Sequence, residues 1–480
     1  MYTVFFDAVV AMEFFQKYRT YCLFTLSLAI GVIIWLLPSP VGVKPEGWAL
    51  FAIFVSTILG VILKPFPMGV IALFGLAAAV STRTLSFSEA FSGFSNEVVW
   101  LVVFAFFVAR GFILTGLGAR LAYRVMSVLG KNSLGLGYGL VATDLILAPM
   151  IPSVTARSGG IIYPILKALA DVFTNKSHDP KMGAFLTLAA FQGSAISSAM
   201  FLTSMAGNPL IAQFALEQGI SLTWGTWAVA AIVPGLFSLI VVPYIIYRLA
   251  TPVIQQTPHA KEMAHDKLRA MGPMKPQEWI MLGVFAFLIT LWVIGPSIGV
   301  KASVAAMLGL SILLLTGILR WKDVLEEHGA WDTFIWFSTL ITLASFLNKF
   351  GVTTWFSDWV VGHVVGFEWL VGFVFVGLVY FYSHYFFASN VAHIGAMYAP
   401  LLIVSIAMGT PPELAALMLA FYSSLFGGLT HYGSGPAPIL FGAGYVSVGQ
   451  WWKIGAVASV VNITIWMVIG GLWWKLLGYW

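Results

Sequence analysis

The chain has 480 residues, of which 60% are hydrophobic and 9% charged, and a formal net charge of +5. Soluble proteins carry roughly 25% charged residues, so this composition excludes a soluble enzyme or a nucleic-acid-binding domain, and the pI near 9.1 reflects cations in loops. The single cysteine, Cys22, excludes an internal disulfide and offers no metal-ligand spacing.

Apolar runs long enough to cross about 30 Å of hydrocarbon recur along the chain at 20–37, 48–63, 67–82, 97–118, 186–216, 225–247, 277–295, 302–319, 331–348, 413–443 and 454–475. Residues 1–19 carry Lys17 and Arg19 but no small-residue cleavage pattern, so the first run reads as a retained span. The largest polar stretch, 249–277, reads as a loop. Two further apolar segments, about 138–170 and 370–407, hold polar residues near their centres and read as re-entrant hairpins. The expected fold is an all-α polytopic membrane protein with about 11 transmembrane helices plus two hairpins.

With the N-terminus inside, seventeen Lys and Arg fall on the cytoplasmic side, Lys17 and Lys176 among them. Five fall outside, namely Lys44, Arg83, Lys301, Lys349 and Lys475, while Arg110 and Arg157 stay at membrane depth. That bias supports the threading. Tryptophan pairs such as Trp451–Trp452 and Trp473–Trp474 fit interfacial anchors.

The chain repeats itself. Residues 149–164 (PMIPSVTARSGGIIYP) and 385–400 (YFFASNVAHIGAMYAP) align at an offset of 236, matching Ser153 to Ser389, Gly159 to Gly395, Pro164 to Pro400 and Arg157 to His393. The preceding segments 93–104 and 329–340 resemble each other, and LTSMAGNP (202–209) matches LTHYGSGP (429–436). Corresponding spans run in opposite directions in this threading, which is the signature of an inverted repeat with a binding site near the bilayer midplane. The expected organisation is N-terminal scaffold helices over 1–92, a first repeat over 93–248, a cytoplasmic loop and connecting helices over 249–328, and a second repeat over 329–480.

Gly, Pro, Ser, Thr and Asn cluster at 152–160, 203–209, 388–395 and 430–438. Backbone outside a helix cannot face lipid, so these breaks must be buried or line a watery cavity. Half-helix N-termini there present free N–H groups that suit a carboxylate. Read one residue at a time, the same clusters are helix kinks and packing contacts. Asp144 stands thirteen residues before Arg157, and a lone Arg at the bilayer centre costs about 2.5–3.5 kcal/mol, so it needs a partner. The pair either staples the hairpin or couples charge at the site. His393 holds the equivalent place in the second hairpin, His384 and His431 have weaker claims, and Arg110 receives no role. No P-loop, HExxH or Gly-x-Ser-x-Gly motif is present, so neither nucleotide drive nor a membrane enzyme is implied. A membrane enzyme using Asp144 and the histidines would convert its substrate rather than relocate it.

PSVTARSGGIIYP resembles the PSNTARxGG motif of the divalent anion/sodium symporter superfamily, and FLTSMAGNPL and THYGSGPAPILFGAGY match the same branch over nearly the whole chain. The resemblance is closest to the citrate/succinate and tartrate/succinate antiporters and the chloroplast 2-oxoglutarate/malate translocator. It implies a homodimer in a bacterial inner membrane, with scaffold and transport domains, an elevator motion, no cofactor, and C4–C5 dicarboxylates as substrates. Carried over, the substrate contacts are Ser153, Val154 and Thr155 at one hairpin tip and Ser389, Asn390 and Val391 at the other. The helix breaks add Gly207, Asn208 and Pro209, then Ser434, Gly435 and Pro436. Each tip departs from Ser-Asn-Thr at one position, and Val154 in place of Asn puts the first sodium site in doubt. Arg157 and His393 then supply charge of the protein's own where a symporter borrows it from sodium, with Asp144 as the charge-coupling partner of Arg157. Such a carrier stays charged when empty, which points to sodium-independent antiport, with a sodium-coupled symporter as the alternative.

Overall fold

The computed structural model describes residues 2–177, 180–364 and 368–480. The side chains of Lys17 and Lys176, both counted among the loop cations, lie outside the described residues. Nine helices among the described residues are long and apolar enough to cross a membrane, and Met68–Ser81, Ser133–Leu147 and Ala302–Leu315 are shorter apolar helices. The only extended pairing among the described residues is an isolated bridge between Asn132 and Gln256.

The helices begin where the sequence supplies caps. Pro45, Pro258 and Pro276 stand in first turns, where the missing N–H costs nothing. Thr223 and Thr226 form a capping box ahead of Trp224–Leu249.

The chain divides into two compact units. The first comprises Met1–Val99 with Trp331–Gly366. Its core gathers Leu50, Leu76, Leu85 and Leu343, and the Gly93 N–H donates to Thr342 Oγ1 at 3.0 Å. The second comprises Trp100–Ala330 with Phe367–Trp480 and holds both hairpin segments and all four polar clusters.

Within that second unit the sequence repeat becomes a repeat of geometry. Helices begin at Ser133 and Trp369, short α-turns at Val154 and Asn390, π-turns at Ser158 and Ile394, and closing helices at Tyr163 and Ala399, each pair at the offset of 236. The apolar runs 186–216 and 413–443 are both interrupted. Pro180–Met200 stops before Gly207–Glu217 starts, and Pro412–Leu425 passes through a 3-10 turn before Pro436–Phe441.

One expectation is corrected. The stretch 249–277 is not a loop throughout, because Pro258–Met271 is a helix. Its sequence is rich in good helix formers, and it buries Ala260 and Ala264 while packing along Leu117–Leu129. Two small apolar residues were too weak a stripe to stand out from a polar background. The Ala264→Glu variant should lose several degrees of thermal stability in size-exclusion thermostability assays, because it buries an unpaired charge. His265→Glu, on the exposed face of the same helix, should behave as the parent protein does.

Candidate functional site

The turns at Ser153 and Ser389, the two tips, are built in the same way. Ser153 and Ser389 hold extended backbone, and their Oγ atoms accept from the N–H of Ala156 and Ala392, at 3.1 and 3.4 Å. Each serine thus caps a helix and keeps its own O–H proton free to donate. The first N–H groups of each helix have no intrahelical acceptor. Both tips therefore offer hydroxyl and backbone donors and the positive end of a helix dipole.

The tips meet at one cavity of ≈ 210 Å³ within the second unit. Ser153, Val154, Thr155, Ser389, Asn390, Val391, Ser434, Gly435 and Pro436 all line it. The volume is below the roughly 300–1,000 Å³ of drug-sized ligand pockets, so it suits a small molecule. Among the described residues its lining contains no Lys, Arg, His, Asp or Glu. An anion held here is bound by neutral hydroxyl, amide and backbone donors.

Gly207, Asn208 and Pro209 lie behind this wall, and their neighbours Met205 and Ala206 line it instead. Asn208 is fully buried, and its Nδ2 donates to the carbonyls of Ser198 and Phe201 at 2.8 and 2.9 Å. It closes the break between two helices. Gly207 permits close approach, since a Cβ there would meet Ile394 Cδ1 of the second hairpin at 2.6 Å. A Cβ at Gly435 would collide with Thr155 Oγ1 of the first.

Arg157 and Asp144 are brought together, with Nε to Oδ1 at 2.8 Å and no exposure of the arginine. The guanidinium does more than pair. Its Nη1 donates to the carbonyls of Ile151 at 2.8 Å and Ser204 at 2.9 Å, and its Nη2 donates to Ser198 Oγ at 2.8 Å. Asp144 also accepts from Ser197. Arg157 therefore ties the first tip to the first break, and its guanidinium touches the cavity wall at Ser198. Asp144 offsets its charge.

On the other side His393 is fully buried and meets His384, Nδ1 to Nδ1 at 3.0 Å, and Ser383 Oγ at 3.0 Å. His384 Nε2 donates to the carbonyl of Gly433 at 2.9 Å. Asn390 Nδ2 donates to the Ser423 carbonyl at 2.9 Å, while its buried Oδ1 has no partner among the described residues.

Sequence reasoning missed Phe106, Phe191, Ser198, Ser424 and Gly427 in the lining. A signal existed for two of them, because Ser197–Ser198 and Ser423–Ser424 recur at an offset of 226, just ahead of the two breaks.

Replacing Arg157 with Met leaves Asp144 buried and unpaired, a loss of about 3–5 kcal/mol, so folded yield should fall sharply. Adding Asp144→Asn should recover a large part of that yield. A double variant no better than the single one contradicts the assigned pairing. Gly435→Ala should weaken substrate binding at least tenfold by pushing Thr155 aside.

Comparisons with known proteins follow the same architecture. The family model described as the sodium:sulfate symporter transmembrane region matches residues 19–480. YflS of Bacillus subtilis is 53% identical over 459 residues, covering 95% of this chain and 96% of that protein. The chloroplastic dicarboxylate transporter 1 of Spinacia oleracea is 52% identical over 460 residues, 95% of this chain and 81% of that protein. The citrate/succinate antiporter of Escherichia coli is 32% identical, covering 94% of this chain and 97% of that protein. Among solved structures, Neisseria gonorrhoeae MtrF shares the fold with a TM-score of 0.54 at 15% identity, over 95% of this chain and 94% of that one. The chain thus belongs to the sodium:sulfate symporter family, and it is a membrane transport protein rather than an enzyme.

Proposed function

We propose that the protein exchanges C4–C5 dicarboxylates, such as succinate, malate, fumarate and 2-oxoglutarate, across a bacterial inner membrane. The two tips are re-entrant hairpins of an inverted repeat, the N-terminus is cytoplasmic, and about eleven helices cross the bilayer. A homodimer with scaffold and transport domains works by an elevator motion. The observation that carries the reading is the uncharged cavity faced by two like capping serines, Ser153 and Ser389. Each tip holds one carboxylate through a hydroxyl and free backbone N–H groups. Relatives named as a dicarboxylate transporter and a citrate/succinate antiporter support the substrate class. Tricarboxylates such as citrate, and tartrate, are the further candidates.

Independence of sodium rests on Arg157, and exchange on the empty site. Its guanidinium holds the Ile151 and Ser204 carbonyls, and carbonyl oxygens are the kind of ligand that hard cations take. This cation is covalently attached and cannot dissociate. Val154 removes the amide oxygen that would complete such a site. Asp144 cancels the net charge of Arg157, so the cost of moving the empty carrier falls on the unpaired donors of the two tips and on any charge carried by His393. Those donors lose their anion while crossing a low-dielectric barrier, whereas the loaded carrier keeps them satisfied.

One observation favours the sodium-coupled alternative. Asn390 Oδ1 is a buried acceptor beside the cavity with no partner among the described residues, and it could receive a cation on the second side.

Counterflow in liposomes separates the two. Succinate-loaded vesicles should take up labelled succinate rapidly with or without sodium, and unloaded vesicles should take up little. Fast sodium-driven uptake into unloaded vesicles contradicts the exchange reading. Ser153→Ala and Ser389→Ala each remove a hydrogen bond to a charged group, about 1.5–3 kcal/mol, so each should raise KM by roughly tenfold or more.

A further inference from the structure

Behind the second tip lies a group of side chains that the anion does not touch. His384 and His393 are both fully buried, and their Nδ1 atoms approach to 3.0 Å. One of those two nitrogens must carry the hydrogen and the other must accept it.

The outer nitrogens fix the remaining protons. His384 Nε2 faces the Gly433 carbonyl at 2.9 Å. A carbonyl only accepts, so Nε2 carries a hydrogen. His393 Nε2 faces Ser383 Oγ at 3.0 Å, and Ser383 Oγ also lies 3.0 Å from the Tyr380 carbonyl. A hydroxyl can serve in either sense. It donates to a bare His393 Nε2, or it accepts from a protonated one and donates onward to Tyr380. The pair is therefore complete with two ring protons, when it is neutral, and complete again with three, when it carries one positive charge. A fourth proton would place two hydrogens in the Nδ1–Nδ1 gap and is excluded.

Aromatic rings enclose the pair. His393 stacks on Phe387 at 4.2 Å and Phe426 at 4.4 Å, and His384 stacks on Phe426 at 4.1 Å. Aromatic faces attract cations. The Tyr380 ring lies 4.8 Å from His393, and its hydroxyl is bonded to Ser423. It is the titratable neighbour from the packed helix Trp369–Tyr382 and is an uncharged phenol near neutral pH. Phe426 and Gly433 are the contacts from the following elements. Among the described residues neither ring is ion-paired to a carboxylate.

The pair also joins both parts of the cavity wall on its side. His393 follows Ser389 and Asn390 by four and three residues, and His384 holds the carbonyl next to Ser434. We propose that His384 and His393 form a single-proton site that is loaded together with the dicarboxylate, so that the second wall gains one positive charge when the dianion binds. This rests on the transport reading above. His384 is in addition a positioning residue for the break at 429–435.

Linkage sets the sign and the limit. Anion binding raises the proton affinity of the pair, so binding takes up at most one proton, and KM rises with pH by no more than about tenfold per unit. Fumarate is the suitable probe, because it remains a dianion from about pH 6 to 8.5. Purified wild-type protein in weakly buffered detergent solution, mixed with fumarate beside a pH dye, should take up a proton, with a maximum of one per protomer. No uptake at any pH in that range, in protein that exchanges fumarate, overturns the proton site. Failure to exchange fumarate or any other dicarboxylate overturns the transport reading instead. Ser383→Ala removes the acceptor for the third proton, so uptake should fall several-fold and the pH dependence of KM should flatten. His393→Asn should abolish both. An unchanged pH profile in a well-folded Ser383→Ala or His393→Asn protein also contradicts the proposal.

Discussion

A helix that stops inside hydrocarbon must find partners for the backbone groups it frees, and no water is there to supply them. Four clusters of small polar residues interrupt the helices of the second unit, and its side chains close the gaps. Arg157 takes the carbonyls of Ile151 and Ser204, Thr203 Oγ1 donates to the Pro149 carbonyl, and Asn208 takes those of Ser198 and Phe201. On the other side Gln192 donates to the Gly428 carbonyl and His384 to that of Gly433. The carbonyls are held from behind, which leaves hydroxyl and N–H donors facing forward. A cavity lined among the described residues by uncharged side chains thereby presents the donors that an anion needs.

The two halves solve the same problem with different chemistry. Their tips share one geometry, down to the capping serine, the α-turn and the π-turn that follows. Behind the first stands a permanent cation with a permanent counter-ion. Behind the second stands a stacked pair of imidazoles with no carboxylate against it among the described residues. The first is an ion pair locked in place by hydrogen bonds to two carbonyls and two serines. The second can change its charge by one. The asymmetry offers a division of labour in which one side is fixed and the other responds.

Much of this was legible in the sequence. Helix starts in the second unit follow the offset of 236 read from the motifs, and nine of the twelve residues assigned to substrate line the cavity. Motifs of small polar residues in an apolar background are visible because the surroundings are uniform. What escaped was set by packing. Asn208 looks like a ligand in one dimension, yet it folds back on its own break. Phe106 sits inside the continuous helix Glu97–Thr115, where nothing local marks the face turned to the cavity. His384 looked unremarkable because its partners, His393 and Gly433, are joined to it only by the fold. The polar helix Pro258–Met271 was hidden because its buried stripe is two alanines.

The central claim is that one dianion spans the two serine-capped tips. The most direct measurement is a cryo-electron microscopy map of the protein in lipid nanodiscs with saturating succinate and no sodium. The account predicts density bridging Ser153–Thr155 and Ser389–Val391, with a carboxylate at each end. Density at one tip only, at Arg157 itself, or appearing solely when sodium is added would contradict it.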